Sequence, residues 1–415
     1  MIKLFNNNIG IVFFFVAIIL LLGFFVLPHV IAKTYTGEDA EYLAEEADVV
    51  TSGDSNLLPT DTAVDAEPAF VATHLPTPEP LYGIYMTSWV AATPSLRNNI
   101  IALAEETAVN AIVIDIKDYS GKIAYITDDP TITKYGASES RIKDIEGIIA
   151  DLHAKNIYVI GRVTVFQDPY LAKKFPEFGI KRISDGGLWA DKNGLNYLYP
   201  GNEDVWEYTA AIAKDAYARG FDEINFDYVR FPSDGNIKDM AIPNSTMTKS
   251  DIVKSFFAYL DTELEGTGMK TSADLFGMTT TNTDDLGIGQ VLEKALPYFD
   301  YVCPMVYPSH YPANFNGWSN PNANPQDLIA YVMKAAVVRA EALALDPTLT
   351  ERQRERVNKD QLRPWLQNFS LGTPPYTSTE IKAQFDGTYE AGLTSWILWD
   401  AGNKYNGTRS ALSGY

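Results

Sequence analysis

The sequence contains one cysteine, Cys303, and four histidines among its 415 residues. A single cysteine cannot form an intramolecular disulfide bond, and it cannot supply the several thiolates of a structural zinc or iron–sulfur site. The histidines form no HExxH motif of the kind that binds catalytic zinc. The sequence therefore excludes a disulfide scaffold and a thiolate-bound metal centre, and it predicts neither a cofactor nor a metal site.

Basic residues are also scarce. The chain has 33 Lys plus Arg against 53 Asp plus Glu, which gives a formal net charge of -20. Because a protein that binds DNA or RNA needs basic side chains to neutralise phosphates, nucleic acid is not an expected partner. Hydrophobic residues make up 46% of the chain, which is enough to build the core of at least one large globular domain.

The N-terminal segment contains one long apolar run. Every residue from Ile9 to Leu27 is apolar or glycine, and Lys3 is the only charged side chain before it. About 20 helical residues span the hydrocarbon of a bilayer, and the positive charge is expected on the cytoplasmic side. We predict that residues 1–32 are a signal anchor whose transmembrane helix, residues 9–27, places the rest of the chain outside the cell membrane. The alternative is cleavage after Ala32 and a secreted protein.

Residues 33–80 are strongly acidic. They hold eleven Asp and Glu residues against Lys33 alone, and they end in Pro76, Pro78 and Pro80. Such a segment repels itself and has little apolar surface to bury. We predict a disordered, proline-containing linker, or stalk, that connects the anchor to a folded domain of residues 81–415.

From Tyr82 onward, short apolar runs alternate with stretches of helical period, an order typical of βα units around a parallel sheet. Eight strands are predicted: Tyr82–Trp89, Ala111–Lys117, Ile157–Phe166, Glu223–Val229, Met269–Phe276, Tyr301–Tyr307, Leu362–Phe369 and Thr394–Asp400. Helices are predicted over residues 96–109, 141–155, 203–219, 249–265, 289–296, 325–344 and 378–391. These units favour an α/β TIM (β/α)8 barrel. An open doubly wound sheet is the alternative, but the glycine-rich phosphate fingerprint of its first strand is missing.

Carboxylates end four of the predicted strands. They are Asp115, Asp227, Asp274 and Asp400. TIM barrels build their sites at the carboxyl ends of the strands, and period-two alternation puts Asp227 on the inner side of strand four. Glycoside hydrolysis uses one carboxylic acid as proton donor and one carboxylate as nucleophile or base. Since Asp227 and Asp274 come from neighbouring strands, we predict that these two are the catalytic residues.

Other side chains at the strand ends are predicted to contact an oligo- or polysaccharide, because aromatic rings stack on sugars and polar groups bind hydroxyls. They are Asp115, Lys117, Arg230, Tyr307, His310, Trp365, Trp399 and Asp400. Three other interpretations compete with this one: a salt-bridged network of Asp115 and Lys117 at the rim, an ion pair of Asp227 with Arg230 or Lys117, and a loop cap formed by Asp400.

Seven segments in order along the chain resemble a bacterial family of glycoside hydrolase-type domains that was first catalogued as a domain of unknown function. They are residues 83–85 with Trp89, 113–118, 186–189, 221–232, 272–277, 304–311 and 363–367. The resemblance runs from about Tyr82 to Tyr405 and implies a TIM barrel that hydrolyses glycans. A more distant likeness to the alpha-amylase superfamily implies that Asp227 is the nucleophile and Asp274 the proton donor. That superfamily normally has glutamate as acid/base, so reversed roles or an inverting enzyme stay open.

Two functions of other classes also stay open. A non-catalytic glycan-binding barrel at the cell surface would keep the aromatic residues without a strict need for paired carboxylates. Carbonyl chemistry would use Lys117 as a Schiff-base amine, since such lysines also lie inside barrels. The sequence does not indicate an oligomeric state.

Overall fold

The computed structural model describes residues 70–243 and 246–412. The predicted signal anchor, residues 1–32 with the transmembrane segment 9–27, lies outside the described residues. The same holds for the predicted linker as far as residue 69. Within the described part of the chain, no helix combines the length and the apolar character that crossing a membrane requires.

Eight parallel strands close into a barrel in chain order. They are β1 (Tyr82–Met86), β2 (Ala111–Lys117), β3 (Tyr158–Thr164), β4 (Glu223–Asp227), β5 (Lys270–Phe276), β6 (Tyr301–Met305), β7 (Trp365–Gln367) and β8 (Trp396–Trp399). Strand β8 closes the barrel by pairing with β1, where Tyr82 lies opposite Trp396. The predicted α/β barrel is therefore confirmed.

Helices occupy the connections between the strands. The α-helices are Ser88–Ala92, Pro94–Glu106, Pro130–Thr133, Ile145–His153, Pro169–Lys174, Glu203–Ala218, Lys249–Glu263, Leu292–Ala295, Pro325–Leu343, Glu351–Arg356, Ser378–Glu390 and Asn406–Leu412. Short 3-10 helices are Pro176–Phe178, Ile237–Asp239, Gly277–Thr280, Leu296–Tyr298, Pro308–His310, Phe315–Gly317, Pro321–Ala323 and Lys359–Gln361. The helix predicted from residue 141 begins at Ile145, because the Asp144 side chain accepts a hydrogen bond from Gly147 N and caps it there. A two-stranded antiparallel pair, Lys181–Arg182 with Met240–Ala241, joins the loops after β3 and β4.

Side chains of the strands divide between two apolar layers. Ile112, Ile114 and Ile116 of β2 belong to the larger layer, which lies between the barrel and its helices. Val113 of the same strand belongs to a second cluster inside the barrel, together with Ile160 of β3. Because β2 is buried on both faces, its sequence is an almost continuous apolar run, as is usual for parallel sheets.

The chain that precedes β1 packs against the amino-terminal end of the barrel. Leu75 N donates a hydrogen bond of 2.6 Å to Asp222 Oδ1, and Thr77 Oγ1 lies 3.1 Å from the Tyr158 hydroxyl. The compact unit accordingly begins at Phe70. The prediction that the disordered linker extends to Pro80 is therefore wrong for its last residues, because these find hydrogen-bond partners on the barrel.

Candidate active site

A buried arginine on β3 gathers carboxylates at the carboxyl end of the barrel. Arg162 Nη1 donates to Asp115 Oδ1 at 2.7 Å, and Nε donates to Asp227 Oδ2 at 3.2 Å. Its Nη2 also pairs with Asp227 Oδ2. The same Nε lies 4.0 Å from Asp274 Oδ2. One guanidinium group thus faces three carboxyl groups, which come from β2, β4 and β5.

Asp274, on the inner side of β5, is buried in a setting that favours its protonated form. Its Oδ1 accepts hydrogen bonds from Asn225 Nδ2 at 2.9 Å and from Trp365 Nε1 at 2.7 Å. Burial, and next the negative charge of Asp227, raise the pKa of Asp274 well above its ordinary value. Because two donors occupy Oδ1, Oδ2 is the oxygen that is free to carry the proton.

Asp227 ends β4 and lies beside Asp274. Its Oδ1 accepts a hydrogen bond of 2.5 Å from the backbone N of Tyr228, and its Oδ2 pairs with Arg162. Tyr228 has φ +54°, a left-handed conformation that is uncommon for an aromatic residue and occurs often at functional sites. Arg162 Nε lies 3.2 Å from Asp227 Oδ2 and 4.0 Å from Asp274 Oδ2, so these two carboxyl oxygens are at most 7.2 Å apart, the sum of the two distances. This bound is compatible with the separation of about 5–5.5 Å in retaining glycoside hydrolases and with the lower part of the range of about 6.5–9.5 Å in inverting ones.

A cavity of about 400 Å³, which we call the central cavity, opens at these carboxyl groups. This volume is in the range of small-molecule sites. Arg162 lines it together with seven of the ten predicted site residues. The seven are Asp227, Asp274, Arg230, Tyr307, His310, Trp365 and Trp399. The barrel therefore brings most of the predicted site together at one mouth.

A second cavity of about 310 Å³, the side cavity, adjoins the central one. Arg162, Tyr228, Arg230 and Trp399 line both cavities. The loops after β3 and β4 supply much of its remaining wall, and Asp115 also lines it. Together the two cavities extend the site beyond the pair of carboxyl groups.

Aromatic rings and a neutral histidine form the rest of the wall. The Trp399 ring stacks on Tyr85 at 4.0 Å and meets Trp365 edge-on at 5.7 Å. The His310 ring lies 5.4 Å from that of Tyr307, and burial lowers the pKa of His310, so the imidazole is uncharged at neutral pH. Such rings give apolar faces with polar edges, which suits a sugar.

Asp115 pairs with Arg162 and Tyr85 and not with Lys117, the partner in the predicted network at the rim. Its Oδ2 accepts a 2.5 Å hydrogen bond from the Tyr85 hydroxyl, and its Oδ1 pairs with Arg162. Burial raises the pKa of Asp115, although Arg162 and Tyr85 both favour the charged form. It therefore positions Arg162 and reaches the side cavity.

Lys117 lies outside both cavities, which contradicts its prediction as a substrate-binding residue and its pairing with Asp115. A bulge in β2 between Asp115 and Lys117 breaks the period-two alternation and turns the lysine outward. Its Nζ pairs with Asp168 at 2.8 Å and donates to Thr164 O at 2.7 Å, and 2% of its side chain is exposed. A buried, paired ammonium group of this kind is not available as a Schiff-base amine.

Asp400 is also outside both cavities, so its prediction as a substrate ligand is not supported by its position. Its Oδ1 accepts from Gly402 N at 2.8 Å and its Oδ2 from Asn368 Nδ2 at 3.1 Å. These bonds cap the loop after β8, which was the competing interpretation.

Three residues of this site were not predicted from the sequence. They are Arg162, Tyr85 and Asn225, the last of which donates a hydrogen bond to Asp274. Arg162 lies within an apolar predicted strand that runs on to Phe166, so it was not at a strand end in the sequence. A lone cation in such a strand is a signal in itself, because a buried charge needs a partner.

A closed parallel barrel with paired carboxyl groups at a sugar-sized cavity defines the class of barrel glycoside hydrolases. Residues 83–405 match the sequence profile of the family described as "Putative glycosyl hydrolase domain". The chain belongs to this family, which confirms the predicted resemblance and the predicted enzyme class. No curated protein matches the sequence.

Solved structures similar to this chain include other barrels. The glycoside hydrolase domain of PgaB (BpsB) from Bordetella bronchiseptica is 14% identical, with a TM-score of 0.56 over 80% of this chain and 97% of that chain. A hypothetical protein from Ruminiclostridium thermocellum is 36% identical over 49% of this chain and 98% of that chain, with a TM-score of 0.43. A chitinase from Chromobacterium violaceum is 12% identical over 80% of this chain and 98% of that chain, with a TM-score of 0.45. The first likeness supports the fold.

Proposed function

We propose that the protein is a membrane-anchored, extracytoplasmic glycosidase that cleaves O-glycosidic bonds of an oligo- or polysaccharide. Asp274 is the proton donor, and Asp227 is the nucleophile or base. One observation carries this assignment: the two neighbouring carboxyl groups have unlike surroundings. Burial and the charge of Asp227 raise the pKa of Asp274, whereas Asp227 is ion-paired with Arg162. Unlike surroundings are how paired carboxyl groups divide acid and base roles.

The reaction follows from these positions. Asp274 Oδ2 gives its proton to the departing glycosidic oxygen, while Asp227 attacks the anomeric carbon or takes a proton from an attacking water. Asp274 then becomes charged 4.0 Å from Arg162 Nε, and the hydrogen bonds from Asn225 and Trp365 are already in place on its other oxygen. Preorganised donors of this kind stabilise the charge as it develops.

The proposed membrane anchor, and with it the extracytoplasmic location of the barrel, rests on the apolar run of residues 9–27. We expect the intact chain in the membrane fraction, with its barrel accessible to protease added outside the cells. A soluble mature protein that begins near Lys33 would contradict the anchor and leave a secreted enzyme.

The hydrolase proposal is tested by incubating glycans with the protein and measuring new reducing ends. Wild type is compared with Asp227→Asn, and Asp400→Asn is the matched control, because Asp400 is a strand-end carboxylate outside both cavities. We expect hydrolysis by wild type and by the control, and none by Asp227→Asn at an unchanged melting temperature. Equal rates for wild type and Asp227→Asn would contradict the assignment. Glycan binding without any new reducing ends would favour a non-catalytic binding barrel.

A further inference from the structure

Buried cations are paired throughout the described residues, with one exception. The buried lysine and arginine side chains there are Lys117, Arg141, Arg162, Arg230 and Arg363. Arg141 pairs with Asp118. Lys117 pairs with Asp168, Arg162 with Asp115 and Asp227, and Arg363 with Glu223. Arg230 is 7% exposed and has no ion pair with any described residue. A buried charge without a partner is unfavourable, so its retention needs a reason.

The surroundings of Arg230 fix its guanidinium group without neutralising it. The group lies over the ring of Tyr228 at 4.9 Å and over that of Phe276 at 4.5 Å. Nη1 donates to the carbonyl oxygen of Phe231 at 3.1 Å, which uses one of five N–H donors. The other four N–H donors have no hydrogen-bond partner among the described residues.

Arg230 lies at the junction of the two cavities, since it lines both of them. A planar edge with two parallel N–H groups matches a carboxylate, which it binds through two hydrogen bonds. The same rings that hold the plane add cation–π attraction and reduce the freedom lost on binding. The arrangement is therefore preorganised for an anion next to the catalytic carboxyl groups.

None of the acidic residues around the side cavity forms an ion pair with Arg230, and most of them have other partners. Asp118 pairs with Arg141 at 2.5 Å, and Asp234 pairs with Lys192 at 3.0 Å. Asp191 accepts backbone hydrogen bonds from its own loop. The two ion pairs also reduce the repulsion that an anionic ligand would meet in this cavity.

We propose that Arg230 binds a carboxylate carried by the sugar, so that the substrate is an acidic glycan with uronic acid-type units. The inference rests on the proposed function, because it takes the ligand of the two cavities to be a saccharide. It adds the chemical class of that saccharide and the residue that selects it.

The test compares acidic oligosaccharides with carboxyl-reduced forms that differ only in having a primary alcohol in place of each carboxylate. Oligomers of galacturonan, alginate and hyaluronan are the probes, and binding to the full-length protein is measured by calorimetry. We expect at least one acidic oligomer to bind about tenfold or more tighter than its reduced form, the usual effect of hydrogen bonds to a charged group. In Arg230→Gln this ratio should fall to about one.

Arg352→Gln is the control for net charge, because Arg352 pairs with Asp261 and lies outside both cavities. It should keep the full ratio. An unchanged ratio in Arg230→Gln, or the absence of any preference for the acidic oligomers in wild type, would overturn the proposal. Preferential binding of sulfated oligosaccharides alone would overturn its assignment to a carboxylate.

Two further measurements keep the test decisive. If Arg230→Gln does not fold, Arg230→Lys takes its place, since it keeps the charge but loses the two-pronged geometry and should lose part of the ratio. The wild-type comparison of acidic and reduced oligomers needs no variant at all. Selective binding of acidic oligomers without release of reducing ends would support the role of Arg230 and contradict the hydrolase proposal. Hydrolysis of neutral glycans without any selectivity for acidic oligomers would support the hydrolase and contradict the role of Arg230.

Discussion

Strand β4 carries two inward-facing carboxylates at opposite ends of the barrel, and their surroundings differ in kind. Glu223, at the amino end, is fully buried, and both of its oxygens accept from Arg363 Nη1 at 3.0 Å. The Tyr158 hydroxyl donates to the same carboxylate, and the ring of Tyr301 lies 3.7 Å from the guanidinium carbon of Arg363. One cation meets one anion there.

At the carboxyl end, four positions further along the strand, the charges do not balance pair by pair. Asp227 shares Arg162 with Asp115 and Asp274, and burial and the neighbouring charge of Asp227 raise the pKa of Asp274, which favours its protonated form. Arg230 lies nearby without an ion pair among the described residues. A cavity of about 400 Å³ opens beside this group.

The contrast shows how the interior of one barrel can stabilise the fold at one end and form a functional site at the other. A balanced, fully enclosed ion pair holds the strands in register but offers nothing to a ligand, whereas an unbalanced cluster at a cavity keeps proton-transfer capacity and an anion site. This agrees with the general division of TIM barrels into a stabilising amino end and a functional carboxyl end.

The largest expected effect is on activity at the carboxyl end. Asp274→Asn should lower hydrolysis of natural glycans by about 10³-fold, within the usual range for general acid catalysis. Aryl glycosides with nitrophenolate leaving groups should lose much less, because such a group departs without a proton. The fold should persist, since the asparagine Oδ1 can still accept from Asn225 and Trp365. Equal losses on both substrates would contradict the role of Asp274 as proton donor.

At the amino end, the matching change should act on stability. Glu223→Gln leaves the buried Arg363 without a counter-charge and should lower the free energy of unfolding by about 3–5 kcal/mol. Chemical denaturation measures this loss, and the folded fraction should hydrolyse glycans at the wild-type rate. Adding Arg363→Met should restore part of the stability, because it removes the orphaned charge. A fall in the rate of the folded fraction would show that the two ends are coupled.

The barrel, and the position of Asp227 and Asp274 at one mouth of it, were predictable from the sequence because both depend on local patterns. Apolar runs mark the strands, and Asp227 and Asp274 lie near the carboxyl ends of such runs. Family resemblance then implied the same fold from seven separate segments. Local periodicity was sufficient to predict the strands and the positions of their side chains wherever the alternation is regular.

The rest depends on contacts that periodicity does not encode. Arg162 meets its carboxylates because the strand register places it opposite Asp115 on β2, and Lys117 turns outward because of one bulge. Leu75 and Thr77 lie within the acidic stretch that ends in three prolines, and their hydrogen-bond partners are on the barrel. Each of these outcomes is set by residues distant in the sequence.

A smaller effect is expected on the pH dependence of the free energy of unfolding, and it should come from Asp274 at the carboxyl end of the barrel. Because the pKa of Asp274 is raised in the folded state, the native protein holds a proton that the unfolded chain loses above its ordinary pKa of about 4. Its stabilising contribution is thus complete below that pH and is lost as the pH rises through the folded-state pKa. Relative to Asp274→Asn, wild type should lose up to about 1.4 kcal/mol per pH unit in this window. The rate of hydrolysis should fall over the same pH range, because Asp274 loses its proton there. Parallel curves of unfolding free energy against pH for wild type and Asp274→Asn would contradict the raised pKa of Asp274.

The smallest expected effect concerns the segment that covers the amino end. Thr77→Val removes the hydroxyl that lies 3.1 Å from Tyr158 Oη and should lower the free energy of unfolding by about 1 kcal/mol. Tyr158→Phe removes the other partner and also the hydrogen bond to Glu223, so its loss should be larger. A double-mutant cycle isolates the coupling between Thr77 and Tyr158.

Neither variant should change kcat or KM, because the contact lies at the end of the barrel opposite the two cavities. A coupling near zero would mean that the segment before β1 rests on the barrel without stabilising it. A change in KM alone would be more informative, since it would require the amino end to influence the glycan site through the shared strand β4. The insulation of the two ends, on which the contrast between Glu223 and Asp227 depends, would then fail.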